Sequence, residues 1–291
     1  MTYNRRSFIK TMGITGAGVA LSSLLPACGA VSKTNAKYKD FGLGLYTLRD
    51  QLHADPKGTL TQVASYGYKL IESFEGDKGI FWGMKNTEFK SLMDGLGMKI
   101  VSSHCDINKD FERKAAEAAE IGMSYLVCPW LGPQKNLDDF KRYADAFNQR
   151  GEVCRKNGIR FAYHNHDYSF MPLEGQLPQD VLMQQTDKSL VDYEMDIYWV
   201  VVAGQDPVSW LSKYPGRFRL AHVKDRKKEA TANEKNAFVM LGTGSIDFEK
   251  LFSNAAANDI KYRFVEQDTV VNATPMEAVK ANAEYMKKLT V

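Results

Sequence analysis

The chain has 291 residues, of which 38 are Lys or Arg and 35 are Asp or Glu, so its formal net charge is +3. Its composition, 44% hydrophobic and 25% charged, is typical of a globular protein. Residues 1–27 carry three basic side chains and no acidic one, so subtracting those three charges leaves the rest of the chain formally neutral. A neutral chain lacks the basic surface that nucleic acids require, and we expect no nucleic-acid partner.

The N-terminus has the features of an export signal. Arg5 and Arg6, followed by Phe8, match the twin-arginine pattern. The apolar stretch at residues 12–25 is shorter than the roughly 20 residues that span a bilayer. We therefore predict that residues 1–27 are a twin-arginine signal peptide and that the protein is exported to the periplasm. An uncleaved membrane anchor is the alternative.

A lipid anchor is predicted at the end of this signal. Residues 25–28, Leu-Pro-Ala-Cys, resemble a lipoprotein cleavage box, which would leave Cys28 as a lipid-modified N-terminus and residues 28–40 as a tether. Membrane contact is expected through this lipid alone. The other three cysteines, Cys105, Cys128 and Cys154, cannot all pair and show no C-x-x-C spacing, so we expect them to be small buried residues.

From residue 41 onward, β-rich segments alternate with amphipathic helical segments eight times. The predicted strands are 41–47, 69–74, 99–106, 125–130, 160–166, 190–196, 218–225 and 262–268. Four predicted helices, 57–65, 87–96, 111–121 and 138–157, are each followed within two residues by Gly, which supplies a left-handed stop. Long loops are predicted at residues 172–178 and 226–240.

This alternation predicts an α/β fold, a single-domain (β/α)₈ TIM barrel over residues 41–291. A doubly wound open sheet is the alternative. It fits less well because no glycine-rich dinucleotide fingerprint follows the first strand.

Polar residues gather at the C-terminal ends of the predicted strands, the face on which barrel enzymes carry their active sites. Four of the five histidines of the chain lie there. Because residues two apart on a strand share a face, each strand end can present an inward pair. The pairs are His104 with Asp106, His164 with His166, Glu194 with Asp196, His222 with Lys224, and Glu266 with Asp268.

Four of these residues can surround one point at the barrel mouth. His164, Asp196, His222 and Glu266 come from the fifth to the eighth strand in succession. Two imidazoles and two carboxylates suit Mn²⁺, Zn²⁺, Co²⁺ or Mg²⁺. The sequence therefore predicts a divalent metal site.

Aromatic residues are also predicted near the mouth. Tyr46, Trp82, Trp130 and Trp199 follow strands or lie at their ends. Aromatic faces suit the apolar C–H patches of a sugar ring, while the indole N–H and phenol O–H can reach hydroxyls. We expect a small sugar or keto-sugar substrate to contact some of these four residues.

Several ordered motifs resemble those of a known family. They are residues 163–167 (Tyr-His-Asn-His-Asp), 195–199 (Met-Asp-Ile-Tyr-Trp), 222–225 (His-Val-Lys-Asp), 241–248 (Leu-Gly-Thr-Gly-Ser-Ile-Asp-Phe) and 264–268 (Phe-Val-Glu-Gln-Asp). From about residue 41 to the end, the chain resembles the sugar phosphate isomerase/epimerase family with a xylose isomerase-like barrel. The resemblance implies metal ligands at Asp196, His222 and Glu266, with His164 where a Glu commonly stands.

The same resemblance implies a metal-dependent isomerase or epimerase that removes a proton next to a sugar carbonyl, with the metal stabilising the enediolate. Glu266 is the candidate base, and Lys224 could hold the oxyanion. His104, His166 and Glu72 are further acid or base candidates; hydrogen-bonded structural roles are the alternative for each.

Two other functions fit the same residues. A 3-keto-glycoside lyase or hydratase begins with the same proton abstraction. A non-catalytic sugar-binding lipoprotein would need no metal. A DNA-repair endonuclease on this barrel is disfavoured by the five histidines, the neutral charge and the export signal. Residues 242–244, Gly-Thr-Gly, are either a tight turn or, before a helix near Ile246, an anion site.

Overall fold

The computed structural model of the protein describes residues 40–290. The predicted signal peptide at 1–27, Cys28 and the tether up to residue 39 lie outside this range. No helix within residues 40–290 has both the length and the apolar composition that a membrane crossing needs.

The described chain forms a closed parallel barrel, which confirms the predicted fold class. The strands are β1 (Gly42–Gly44), β2 (Leu70–Phe74), β3 (Lys99–His104), β4 (Tyr125–Cys128), β5 (Arg160–His164), β6 (Val191–Asp196), β7 (Phe218–Val223), β8 (Asp225–Arg226), β9 (Phe238–Val239) and β10 (Tyr262–Val265). The barrel order is β1-β10-β7-β6-β5-β4-β3-β2, and β8 pairs with β9 in a separate antiparallel ribbon. Most of the predicted strands extended a few residues too far, because the polar C-terminal residues follow the last paired position.

Helices surround the barrel. They are α1 (Arg49–Ala54), α2 (Pro56–Ser65), α3 (Asn86–Gly95), α4 (Phe111–Glu120), α5 (Leu137–Lys156), α6 (Pro178–Gln185), α7 (Ile197–Val202), α8 (Pro207–Lys213), α9 (Phe248–Phe252) and α10 (Pro275–Lys288). The four helices predicted from periodicity are present within one residue at each end. Each is followed by a glycine with positive φ, the left-handed conformation expected of a helix stop.

The barrel interior changes from apolar to polar along its axis. Its lower part is filled by a buried cluster that includes Val101, Leu220 and Phe264. Full burial of a side chain such as Phe264 stabilises the fold by about 1.5–3 kcal/mol. A Cβ on Gly42 would lie 2.3 Å from the Phe264 ring, so glycine at that position lets the ring fill the barrel. The polar site at the C-terminal end of the barrel therefore lies on a layer of apolar side chains.

The Gly-Thr-Gly turn is closed by an internal carboxylate. Asp225 accepts hydrogen bonds from the backbone N–H groups of Gly242 (2.9 Å), Gly244 (2.9 Å) and Ile246 (3.2 Å). A Cβ on Gly244 would lie 2.2 Å from Asp225 Oδ1, so the turn has no room for a side chain there. These N–H groups are engaged and α9 begins only at Phe248, so the turn is structural and does not receive an external anion.

Candidate metal and substrate site

The polar strand ends meet at the C-terminal mouth of the barrel. Both members of the predicted pairs on β6 and β7 are buried there. On β3, His104 faces the centre, whereas Asp106 is exposed because the strand ends at His104. The parallel register explains the convergence, since His164 lies beside Glu194 and Asp196 lies beside His222 on neighbouring strands.

The deeper part of the site is an inner cluster formed by Glu72, His104, His164, Glu194 and His222. His104 Nε2 lies 2.8 Å from Glu194 Oε2 and 3.2 Å from Glu72 Oε1. His222 Nε2 lies 2.5 Å from Glu72 Oε1. His164 Nδ1 lies 3.0 Å from Glu194 Oε2. Two buried carboxylates thus connect three imidazoles.

An outer cluster, Asp196, Lys224, Glu266 and Asp268, lies next to it. The Lys224 ammonium is its centre, 2.9 Å from Asp196 Oδ2, 2.6 Å from Glu266 Oε2 and 2.7 Å from Asp268 Oδ1. His222 joins the two clusters, because its Nδ1 lies 3.1 Å from Glu266 Oε2. A Cβ on Gly44 would lie 2.7 Å from Glu266 Oε1, so glycine in β1 makes room for this carboxylate.

Charges in the outer cluster stabilise one another. Burial opposes the charge of Lys224, but the three carboxylates around it outweigh burial and raise its pKa well above the ordinary value. Burial likewise disfavours the charged form of Glu266, yet Lys224 and His222 hold the pKa of that carboxyl well below its usual range. For Asp268 burial dominates and raises the pKa to about 6.

The histidines of the site differ in charge. Burial opposes the protonation of His104, but the carboxylates of Glu72 and Glu194 outweigh it and raise its pKa to about 10. Burial and the neighbouring Glu72 raise the pKa of Glu194 to about 7. Burial also lowers the pKa of His164 and of His166 well below 6.5, and nearby positive charges add to the effect. The site therefore contains protonated and neutral imidazoles side by side.

The predicted metal ligands are adjacent to one another. Asp196 Oδ2 and His222 Nδ1 are buried and lie 4.0 Å apart, and their contacts in the protein are the ion pairs with Lys224 and Glu266. His164 Nε2 lies 3.5 Å from Asp196 Oδ2. Ligands of one ion at about 2.0–2.2 Å are spaced in this way, so the donors fit a divalent metal.

A second donor set overlaps with the first. The ligand atoms of His104, His164, Glu194 and His222 all lie within 4.8 Å of one another. His164 and His222 belong to both sets, so an ion held by either set would lie beside these two imidazoles. The sequence did not assign a ligand role to His104 or Glu194. Glu194 could have been found because it precedes Asp196 by two residues and so shares its face.

Above the clusters is a mouth cavity of about 450 Å³. It is lined by Tyr46, Arg49, His104, Pro129, Trp130, His164, His166, Lys224, Glu266, Asp268 and Thr269. The predicted substrate contacts Tyr46 and Trp130 reach it and are half exposed. Trp199 lines a neighbouring cavity instead.

Two residues lie away from their predicted places. Trp82 was expected at the mouth but is buried in the core, where its Nε1–H donates to Ser73 Oγ at 3.2 Å and its ring packs against Phe74. Glu72 was a candidate acid or base, with a hydrogen-bonded structural role as the alternative, and it lies beneath the cavity. Its carboxylate accepts a hydrogen bond from Ser102 Oγ at 2.6 Å and contacts His222. Glu72 therefore acts on the imidazoles.

The chain is similar in sequence to a known protein family and to several named relatives. A family model described as xylose isomerase-like TIM barrel matches residues 60–289. An inosose dehydratase from Clostridium perfringens is 32% identical over 171 residues, which cover 53% of this chain and 56% of that protein. An inosose dehydratase from Bacillus cereus is 29% identical over 206 residues, which cover 64% of this chain and 68% of that protein. The chain thus spans little more than half the length of the first relative.

A solved structure is similar over nearly the whole described chain. It is a sugar phosphate isomerase/epimerase from Parabacteroides distasonis, 30% identical, with a TM-score of 0.73. The match covers 90% of this chain and 98% of that one.

Proposed function

Because this chain belongs to the xylose isomerase-like TIM barrel family, we propose that it is a metal-dependent lyase acting on a sugar-like keto-polyol. The enzyme removes a proton next to the ketone and the neighbouring substituent leaves. The observation that carries the proposal is that the candidate ligands His164 and Glu266 line one mouth cavity together with Lys224 and His166. The other two candidate ligands, Asp196 and His222, are buried directly beside these residues. The relatives named inosose dehydratase support elimination, since their name describes loss of water from a cyclic keto-polyol.

A proton next to a ketone is weakly acidic, so its removal requires stabilisation of the negative charge that develops on oxygen. A divalent ion held by His164, Asp196, His222 and Glu266 would supply a Lewis acid there. The Lys224 ammonium, on the wall of the same cavity, can hold the oxyanion in exchange for one of its three carboxylate contacts. The bound ion and Lys224 would thus supply the positive charge beside the oxygen on which negative charge develops.

Two groups on the cavity wall can accept the proton. Glu266 Oε2 already contacts Lys224 and His222, which hold its pKa low and make it a weak base. His166 Nδ1 makes no hydrogen bond with any residue in the range 40–290. We therefore assign proton acceptance to His166 and metal binding to Glu266. His104, at the opposite end of the row of imidazoles, can donate a proton to the leaving oxygen.

Isomerisation is the second candidate. The Parabacteroides distasonis structure, which is similar over most of the chain, is named a sugar phosphate isomerase/epimerase. His164 replaces one of the two carboxylates that a symmetric epimerase would use, which favours a reaction on one face of the substrate. The turn at residues 242–244 binds Asp225, so we propose a substrate without phosphate.

The proposal is tested by turnover. The full-length protein, loaded with Mn²⁺ or Zn²⁺, is incubated with an inosose and with methyl 3-keto-glucosides, and the unsaturated ketone is followed by its ultraviolet absorbance. Metal-dependent appearance of this chromophore is expected. Sugar binding without turnover under either metal would contradict the lyase and favour a sugar-binding protein; an isomeric sugar without the chromophore would favour the isomerase.

We also propose that the protein is exported and lipidated. The support is the twin-arginine pattern at Arg5 and Arg6 and the Leu-Pro-Ala-Cys sequence ending at Cys28. Mass spectrometry of the N-terminal peptide from the native host is expected to find acylated Cys28 and no residue before it. An N-terminus at Met1 would contradict this proposal.

A further inference from the structure

A second cavity of about 560 Å³ adjoins the mouth cavity and shares two wall residues with it, Trp130 and His166. We name it the side cavity; its walls also include Gln134, Met171, Trp199 and Asn236. We propose that the side cavity binds a second sugar ring, so that the substrate is a keto-glycoside of two rings. This inference rests on the proposed function and specifies its substrate class.

Trp130 connects the two cavities. It follows β4, is 54% exposed and lies in the wall of both. Its ring is fixed by edge-on contacts, 4.4 Å from His166 and 4.9 Å from Tyr168 between ring centroids. A Cβ on Gly132 would lie 3.3 Å from Trp130 Nε1, so a glycine there leaves space for the indole. An exposed tryptophan held in this way offers a rigid surface to both rings of a ligand.

The walls of the side cavity combine aromatic and amide groups. Trp199 and Tyr168 provide aromatic surface, and Asn236 provides an amide. Gln134 provides its amide oxygen, because its Nε2 donates to two backbone carbonyls. Trp199 Nε1 is buried and makes no hydrogen bond within the described residues. Aromatic rings that cover C–H patches beside groups that bond hydroxyls suit a sugar ring better than a purely apolar group.

The charge of the side cavity favours a neutral ligand. Its Lys235 ammonium lies 2.5 Å from Asp167 Oδ2, so the two charges compensate each other. The volume of about 560 Å³ is within the range of about 300–1,000 Å³ that small-molecule sites occupy. A neutral sugar ring fits both observations, whereas a phosphate would need an unpaired cation.

Binding of two rings gives the elimination a defined leaving group. With the keto-sugar in the mouth cavity, the proton next to the ketone passes to His166 and its electron pair forms a C=C bond. The glycosidic C–O bond breaks, and the oxygen of the second sugar leaves with a proton from the opposite wall. The products are an unsaturated keto-sugar and a free sugar, and no oxidant or reductant takes part.

The experiment compares one-ring and two-ring substrates in matched variants. The substrates are methyl 3-keto-β-glucoside with 3-keto-cellobiose, and methyl 3-keto-α-glucoside with 3-keto-maltose. Met171→Trp fills the side cavity from a residue that is 47% exposed. Val271→Trp is the control, because Val271 is 64% exposed and lines a different cavity. Thermal unfolding confirms that both variants fold.

For at least one pair, we expect kcat/KM of the disaccharide to exceed that of the methyl glucoside by about tenfold, the upper range for one aromatic contact. Met171→Trp should abolish this preference and leave the methyl glucoside unchanged, while Val271→Trp should change neither. Equal kcat/KM for the disaccharide and the methyl glucoside in every pair would overturn the second-ring site. A Met171→Trp variant that does not selectively lower turnover of the disaccharide would also overturn it. Neither result would contradict the lyase activity.

If no keto-sugar is turned over, the proposed function fails and the side cavity is tested by binding. Calorimetry with cellobiose, maltose and the methyl glucosides then measures affinity directly. A preference for a disaccharide that Met171→Trp removes would support the second-ring site. No preference would overturn it.

Discussion

His222 and Glu72 face each other across the barrel, with His222 Nε2 2.5 Å from Glu72 Oε1. The opposite nitrogen of the same ring, Nδ1, lies 3.1 Å from Glu266 Oε2. A carboxylate that accepts from one nitrogen of an imidazole fixes the ring and makes the other nitrogen a better metal ligand. Glu72 is therefore a positioning residue for His222.

Replacing Glu72 should weaken metal binding. In Glu72→Gln the carboxylate that orients His222 becomes neutral, and we expect metal affinity to fall about 10- to 100-fold. Calorimetric titration with Zn²⁺ or Mn²⁺ measures this. Glu75→Gln is the control, because Glu75 lies just after the same strand and pairs with Lys114 outside the site. Wild-type affinity in Glu72→Gln would refute the positioning role.

Metal affinity should rise with pH. Burial opposes the protonation of His222, but Glu194, Glu266 and Glu72 outweigh it and raise its pKa well above 6.5. Without metal the ring is protonated at neutral pH, and a metal at Nδ1 must displace that proton. Because binding releases this proton, affinity is expected to increase with pH, by at most about tenfold per pH unit. A pH-independent affinity would argue against His222 as a ligand.

Replacement of His166 should lower the catalytic rate without changing metal binding. His166 lies in the mouth cavity but outside both donor sets. In His166→Gln we expect metal content to stay at the wild-type level and kcat to fall about 10²- to 10⁴-fold, the usual contribution of a general base. His53→Gln, at an exposed histidine, is the control. Unchanged kcat in His166→Gln would return the role of base to Glu266.

Asp225 should contribute to stability and not to metal binding. Its removal in Asp225→Ala leaves the backbone N–H groups of Gly242, Gly244 and Ile246 without their acceptor. We expect the free energy of unfolding to fall by about 3 kcal/mol, measured by urea denaturation. Asp247→Ala, which removes the side-chain cap of α9, should cost about 1 kcal/mol. A loss of unfolding free energy in Asp225→Ala no larger than that in Asp247→Ala would contradict this role of Asp225.

The sequence predicted the barrel because each strand and helix carries its own local signal. Alternation of β-rich and amphipathic segments gave the eight strands, and glycines such as Gly67 and Gly158 marked helix ends. The inward pairs on β6 and β7 followed from the two-residue period of a strand. These features depend on neighbours in the chain, so one sequence is enough to find them.

Depth within the barrel could not be predicted in the same way. Whether Glu72 meets substrate or lies beneath it depends on the stagger of β2 against β3, where the register shifts after Ile71. Trp82 was misplaced because its loop turns back into the core, with φ of 56° at Trp82 itself. Neither the register between β2 and β3 nor the path of the Trp82 loop can be predicted from the spacing of residues along the chain.

The central claim is a divalent metal held by His164, Asp196, His222 and Glu266, and metal content tests it most directly. Elemental analysis is made on the full-length protein purified without chelator, and on Asp196→Ala, Glu266→Ala and the exposed control Asp106→Ala. We predict close to one metal ion per chain in the wild type and the control, and loss of the ion in the other two variants. A wild-type protein that holds no metal even after addition of Mn²⁺ or Zn²⁺ would contradict the claim. A metal content that neither Asp196→Ala nor Glu266→Ala lowers would also contradict it.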